Sequence, residues 1–439
     1  MAPAVGRENP ARPDGPGLFT FAEISRDNGE EFWFAVPMYR QGFLWILSLS
    51  LVACGGSSSP PAVDPGIGPW ELVPREEVRA VCGLDPDLLD AADAQIDAPY
   101  AVVRYGRLCH EYLPEGSDPV QEVFSTTKTL GALVTGIAAW ETRDLPDTGR
   151  KTGPITVNDP VAHWLDDFSF NQAAKIGHVL GMVGFNENLE YPNRRYVYDT
   201  IGTREINRLS DVINTALQQD PERLGADLEE FTHRFLFDKL GMNNSVWTPD
   251  APGSMVGLPD KIFGFNWHST VRDMARIGQL ILRGGVWNGE RILAEEFLYE
   301  MTHPSFEEAN PNYGYLTWLA APSNVGLFGP CAPAARWNEY PHGELSGAPD
   351  CNYTGPVPCE QEFDVGAWSA IGAQGQVILG QSGLDLVLVG KYMAAGPLPA
   401  PLWDAVRPAL VAEDPEFSGD EEAFCEAYGA NRYAPDLRR

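Results

Sequence analysis

Cysteine is scarce in this chain and badly spaced for metal. Seven occur among 439 residues, no two form a CxxC pair, and no His/Cys cluster has zinc spacing, which argues against a metal centre. Positive charge is also scarce. The 31 Lys and Arg are outnumbered by 61 Asp and Glu, a formal charge of −30, which disfavours nucleic acid and anionic membrane surfaces as partners. There is no long block of one charge, no heptad run and no repeat of fixed period. No stretch is long and apolar enough to be a mature transmembrane helix. What is present is an ordinary apolar share of 44%. That supplies a sizeable core, for one large enzyme or for about two or three domains.

The N-terminus carries a targeting signal. From Met38 the chain reads MYRQGFLWILSLSLVACGGSSSPP. Arg40 gives a short basic region, Phe43 to Ala53 an apolar core too short to span a bilayer, and LVAC a processing site. The ending resembles a bacterial lipobox, in which the Cys54 thiol is lipidated, and the Gly/Ser/Pro run after it suits a tether. The expected organisation is an upstream extension over 1–37, with Met38 as the true start, a lipoprotein signal peptide over 38–53, lipidated Cys54 with a flexible tether to 69, and a folded domain over 70–439. Such a protein sits on the periplasmic side of the bacterial envelope, at the outer membrane, and meets a membrane only through its lipid. The six remaining cysteines, an even number in an exported chain, point to disulfides of open connectivity. The short loops among Cys331, Cys351 and Cys359 make bridges there easy to close.

Along the chain, PYAVVRYGRLCHEY reads as two strands around Tyr105-Gly106. After Ser125, Leu130, Val134 and Ile137 share a helical face. In STVRDMARIGQLILRGG, Thr270 and Asp273 form a capping signature, Met274, Ile277 and Ile281 share a face, and Gly284-Gly285 ends the helix. GQVILGQSGLDLVLVGKY reads as two apolar strands joined at Ser382-Gly383, and PLWDAVRPALVAE as a closing helix. Strands at both ends with helices between predict an α+β fold: one antiparallel sheet built from both ends of the chain, flanked by helices, with an inserted mainly helical region. Residues 320–364, rich in Pro, Gly and Cys, read as an irregular surface excursion.

The stretch FSTTKTL sets Ser125 three residues before Lys128, so on a helix both project to one place. Free N–H groups at a helix start favour an attacking alkoxide and an oxyanion. A lysine of ordinary pKa is neutral only roughly 0.04% of the time at pH 7. To act as a base it must be desolvated, sit beside a cation, or share its proton with a tyrosine. Such tetrads are common, so a third group is needed. YVYDTIG supplies Tyr198.

Tyr198 comes with IGHVLGMVGFN before it and RFLFDKLGMNNSVW and GGVWNGERIL after it. Together these resemble the serine β-lactamase and penicillin-binding superfamily, in its class C-like, esterase-containing branch. HVLGM is similar to that family's HLLTM, DKLGM to its PLGM, and GGVWNGERIL to its GG-x-WNG-xx-IL. The resemblance runs in consistent order from about residue 80 to 410. It implies a β-lactamase/transpeptidase-like fold, Ser125 as nucleophile, Lys128 as its base, and Tyr198 as proton shuttle to the leaving group. Tyr196 competes for that role, but only Tyr198 has a glycine, Gly202, at the family's offset. Thr200 stands where the family usually has a substrate-orienting asparagine, which weakens any claim to lactam turnover.

The family also carries Lys-Thr-Gly or His-x-Gly on a strand lining the site. A literal KTG at Lys151–Gly153 precedes Tyr198 and lies in a loop, in the wrong order. The segment in the right order is WSAIGAQGQVILG, with Ala370-Ile371-Gly372 in place of the motif. This resembles 6-aminohexanoate-dimer hydrolase and its esterase relatives, through Gly372-Ala373-Gln374-Gly375-Gln376. By that mapping the backbone N–H groups of Ser125 and Ala373 form an oxyanion hole, and Thr200, Gly372 and Gln374 are substrate-binding candidates. Ala370 offers no cation for the carboxylate of a penicillin or a D-Ala-D-Ala peptide, and a desolvated unpaired carboxylate costs several kcal/mol. His342 could replace that charge, though it reads more simply as a surface residue.

The expectation is an exported serine hydrolase, a carboxylesterase or linear amide hydrolase, cleaving small uncharged esters or amides through an acyl-enzyme, with no cofactor. Two rivals are a penicillin-recognising β-lactamase or D-Ala-D-Ala peptidase, and a catalytically silent binding protein on the same scaffold.

Overall fold

The runs QVILGQ and LVLVG show no alternation of polar and apolar residues, and their packing explains it. In the computed structural model, residues 61–166, 171, 173–184, 196, 198, 200–248, 262–306, 309, 313–319, 367–393 and 399–411 are described. The strands are β1 (Tyr100–Arg104), β2 (Arg107–Tyr112), β3 (Gln121–Glu122), β4 (Val246–Trp247), β5 (Trp267–Ser269), β6 (Val286–Trp287), β7 (Glu290–Arg291), β8 (Trp318–Leu319), β9 (Ala367–Gly372), β10 (Gln376–Gln381) and β11 (Leu386–Gly390). The main sheet has the order β2-β1-β11-β10-β9-β8 and is antiparallel throughout. In β11, Leu386 and Leu388 enter one core while Val387 and Val389 enter another. Both faces are covered, so both parities of the strand are apolar.

The helices follow from caps and stripes. On one face lie α1 (Pro86–Ile96), where Asp85 accepts from the N–H of Asp87 at 2.9 Å, and the closing helix Pro399–Val406. Leu89, Leu402, Trp403 and Val406 fill the core between them and the sheet. On the other face are α2 (Thr127–Thr142), α3 (Ile176–Leu180), α4 (Thr200–Leu217) and α5 (Val271–Leu282). Thr270 caps α5 by accepting from the Asp273 N–H at 3.3 Å, and Gly284 and Gly285, at φ 59° and 79°, end it, as the sequence predicts. The predicted hairpins also form, β1–β2 around Tyr105-Gly106 and β10–β11 around Ser382–Leu384. The fold is α+β with its sheet assembled from both ends of the chain.

The expected flexible tether to residue 69 is too long, because its last part is packed. Val63 N–H donates to the Tyr105 carbonyl at 3.0 Å. Buried Arg276 donates to the carbonyls of Gly66 and Gly68 at 2.9 and 2.7 Å. A buried guanidinium needs acceptors, and this segment supplies two of them. Cys82 and Cys109 form a disulfide, tying the helix before α1 to β2. The other cysteines and the whole 320–364 excursion, with His342 in it, lie outside the described residues.

Gly278 in α5 sets how closely the helix meets the sheet. A Cβ there would lie 2.5 Å from Val387 Cγ1 and 3.0 Å from Ile378 Cγ2. Gly278→Val is therefore expected to lower stability by about 1–3 kcal/mol through overpacking, measured by urea denaturation. Unchanged stability would mean that this seam has slack.

Candidate active site

The site starts from a backbone turn. Phe124 has φ 49°, unusual for a residue with a Cβ, and it swings the chain into the 3-10 turn Phe124–Thr126 that leads directly into α2. The Thr127 hydroxyl fastens this turn, donating to the Phe124 carbonyl at 2.6 Å and accepting from Trp267 N–H at 3.2 Å. Residues 127–138 of α2 are buried, whereas Ser125 just before them is part-exposed. A side chain one turn on must then point inward. Lys128 is only 4% exposed, and its Nζ lies 2.9 Å from Ser125 Oγ and 3.1 Å from the Gly264 carbonyl. The part-exposed ring of Tyr198 faces the same amine, 4.9 Å from centroid to Nζ, a favourable arrangement for a cation. Ser125, Lys128 and Tyr198 thus meet. Tyr196 is buried in the core.

β9 runs directly past the serine turn. At Gly372 a Cβ would lie 2.2 Å from the Val123 carbonyl and 2.9 Å from Thr126 Oγ1, so any side chain would push strand and turn apart. Beyond it the chain turns back through exposed Ala373 and Gln374, with Gln374 and Gly375 at φ 61° and 79°. Gly372 meets backbone rather than open space. Ala370 is buried in β9. Thr200 is the first residue of α4, and its side chain lies outside the described residues. The literal KTG is in a surface turn, where Lys151, at φ 63°, pairs with Asp166.

No family model and no curated protein matches this chain. Among solved structures, a candidate β-lactamase from Bacteroides dorei superposes with a TM-score of 0.50 at 15% identity, over 74% of this chain and 99% of its own. A family VIII carboxylesterase gives 0.47 at 14% identity, over 73% and 95% of the two chains. A candidate 6-aminohexanoate-dimer hydrolase from Bacillus anthracis gives 0.45 at 16%, over 79% and 85%. The chain has the β-lactamase/transpeptidase-like fold. At these identities the likeness is one of fold.

Within this β-lactamase-like fold, several groups around the lysine carried no sequence signal. Trp318 on β8 packs against the Tyr198 ring at 5.4 Å and edge-on to Tyr313 at 4.8 Å. Burial pushes the Tyr313 phenol well above its ordinary value, and nearby Tyr198 adds to the effect. Asn207 of α4 accepts from the Gly264 N–H at 2.9 Å. Two positions earlier, burial pushes the Glu205 carboxyl well above the usual range, and neither oxygen has a hydrogen-bond partner among the described residues. An asparagine or glutamate on a helix of mixed composition reads as solvent-facing until the helix is packed.

Beneath the serine turn lies a second buried network. Asp273 accepts from Asn244 N–H at 2.9 Å and the Ser245 hydroxyl at 3.2 Å, and Ser245 accepts from the Trp267 indole at 3.2 Å. Trp267 in turn meets Thr127. Burial raises the Asp273 pKa to about 6, against an ordinary 3.8, with the bonds from Asn244 and Ser245 partly opposing it. Raised in the folded state, the group contributes stability that is present below its unfolded pKa and lost as pH rises through about 6. The stability of the wild type minus that of Asp273→Asn is expected to fall by about 2–3 kcal/mol between pH 4 and 7.5. A difference that stays flat across this range would contradict the assignment.

Proposed function

We propose that this chain is an exported serine hydrolase that cleaves uncharged esters or amides through an acyl-enzyme on Ser125. The observation that carries the reading is the 2.9 Å contact between Ser125 Oγ and the Lys128 amine, at the mouth of a buried helix. Ser125 Oγ bonds to the substrate carbonyl carbon as its proton passes to Lys128 Nζ. The backbone N–H groups of Ser125 and Ala373 receive the oxyanion. The bond to the leaving alcohol or amine then breaks, and Tyr198 gives this group its proton and recovers one from Lys128 Nζ. Water adds to the acyl carbon, the carboxylic acid leaves, and Ser125 regains its proton. No metal or organic cofactor enters.

The preference for uncharged substrates is supported by Ala370 and by the state of Lys391, which follows β11. Lys391 is fully buried and committed to Pro119 O, Ser269 O and Asp118 Oδ1 at 2.6, 2.9 and 3.1 Å. Burial lowers its pKa, with Asp118 opposing. It is not available to a substrate carboxylate. Esters come first and short linear amides second. p-Nitrophenyl butyrate turnover by the purified protein is expected, reduced about 10³-fold or more in Ser125→Ala. A folded wild type that leaves this ester intact would redirect the test to penicillin acylation, and failure there would leave a binding role.

The reading also includes a lipid anchor at Cys54 on the periplasmic side of the envelope. The Cys82–Cys109 disulfide supports an oxidising compartment, and the Gly/Ser/Pro composition after Cys54 suits a spacer. In a bacterial host, labelled palmitate is expected in the wild type and not in Cys54→Ser, which should leave the membrane fraction. An unlabelled, soluble wild type would remove the anchor from this account.

A further inference from the structure

Lys128 is held from two sides, by Ser125 and by the carbonyl of Gly264. Gly264 has no side chain through which packing could fix it. Its neighbours are anchored: the Trp247 indole donates to Ile262 O at 3.0 Å, the Phe263 ring sits where a Cβ on Gly131 of α2 would be 2.5 Å away, and Asn266 N–H donates to Glu122 at 3.2 Å. Gly264 itself is held by Asn207, through the 2.9 Å bond from its N–H to Oδ1. Asn207 is fully buried, and its Nδ2 has no hydrogen-bond partner among the described residues. A buried unpaired donor is a cost that an apolar residue would avoid. What the asparagine supplies is therefore its acceptor oxygen. It stands on α4, the helix that begins two residues after Tyr198.

We infer that Asn207 is a positioning residue for acyl transfer at Ser125, holding the Gly264 carbonyl where it keeps the Lys128 amine against Oγ. The inference rests on the serine-hydrolase reading above. It acts on the geometry of proton removal and makes no contact with substrate. A small displacement of such a base is enough to slow the step by about tenfold to a hundredfold.

The test is the rate at which a fluorophosphonate probe modifies Ser125 in the purified full-length protein, followed by mass spectrometry. In that reaction the Ser125 Oγ–P bond forms, the P–F bond breaks, fluoride leaves, and the serine proton passes to Lys128. Asn207→Leu is expected to lower the maximal labelling rate about tenfold to a hundredfold, with the half-saturating probe concentration unchanged. Asn207→Asp keeps the acceptor oxygen and replaces only the unpartnered amide nitrogen, so it should recover most of the rate. If the leucine variant does not fold by thermal unfolding, Asn207→Ala takes its place in the comparison. Folded leucine or alanine variants labelling at the wild-type rate would overturn the inference. So would a folded aspartate variant as slow as they are, since side-chain packing would then be the cause. A wild type that is not labelled at Ser125 would overturn the serine-hydrolase reading, and this inference with it.

Discussion

The rest of the site depends on keeping the Lys128 amine out of water without leaving it unsatisfied. A buried amine needs acceptors, and an isolated buried ammonium is very costly. Here the acceptors and the facing ring come from residues 125, 264 and 198, which are far apart in the chain. Their meeting requires α2 to be an interior helix. Gly131 and Gly136 make that possible, because Phe263 and Phe297 approach to within 2.5 and 2.6 Å of where their Cβ atoms would be. The chemistry of one lysine is thus tied to the packing of the helix that carries it.

The sheet performs a different task. With helices on both faces it is a rigid wall, and its strand β9 is pressed against the serine turn at Gly372. The small sheet β3-β5-β4 grips the same turn from the other side, through Val123 N–H to the Trp267 carbonyl at 2.8 Å. Ser125 is therefore clamped between two sheets, and the unusual φ of Phe124 is held by its surroundings. Ala373 and Gln374, the two residues after Gly372, are exposed.

Several ionisable groups are buried around this framework, and most of them are compensated. Arg276 relies on carbonyls and on Asp273 at 4.0 Å, Lys391 on Asp118 and two carbonyls, and Asp273 on neutral donors besides Arg276. Glu205 has no such partner among the described residues, and its raised pKa favours the neutral acid there. Among the described residues these buried groups are accommodated one by one, and the net charge of −30 says nothing about it.

Local sequence determined the elements whose signals are themselves local. The spacing of Leu130, Val134 and Ile137, the cap at Thr270 with Asp273, the stop at Gly284-Gly285, and the turns at Tyr105-Gly106 and Ser382-Gly383 all depend on neighbouring residues. The spacing of Ser125 and Lys128 was likewise legible, as was the loop position of Lys151–Gly153. Tertiary structure alone decided that the Gly264 carbonyl, with its N–H held by Asn207, meets the lysine, that Gly372 touches the Val123 carbonyl, and that residues from Val63 onward are packed. It also decided that Cys82 pairs with Cys109. Each of these joins segments distant in sequence, and neither periodicity nor turn chemistry encodes which distant atoms will meet once the helices and sheet have closed.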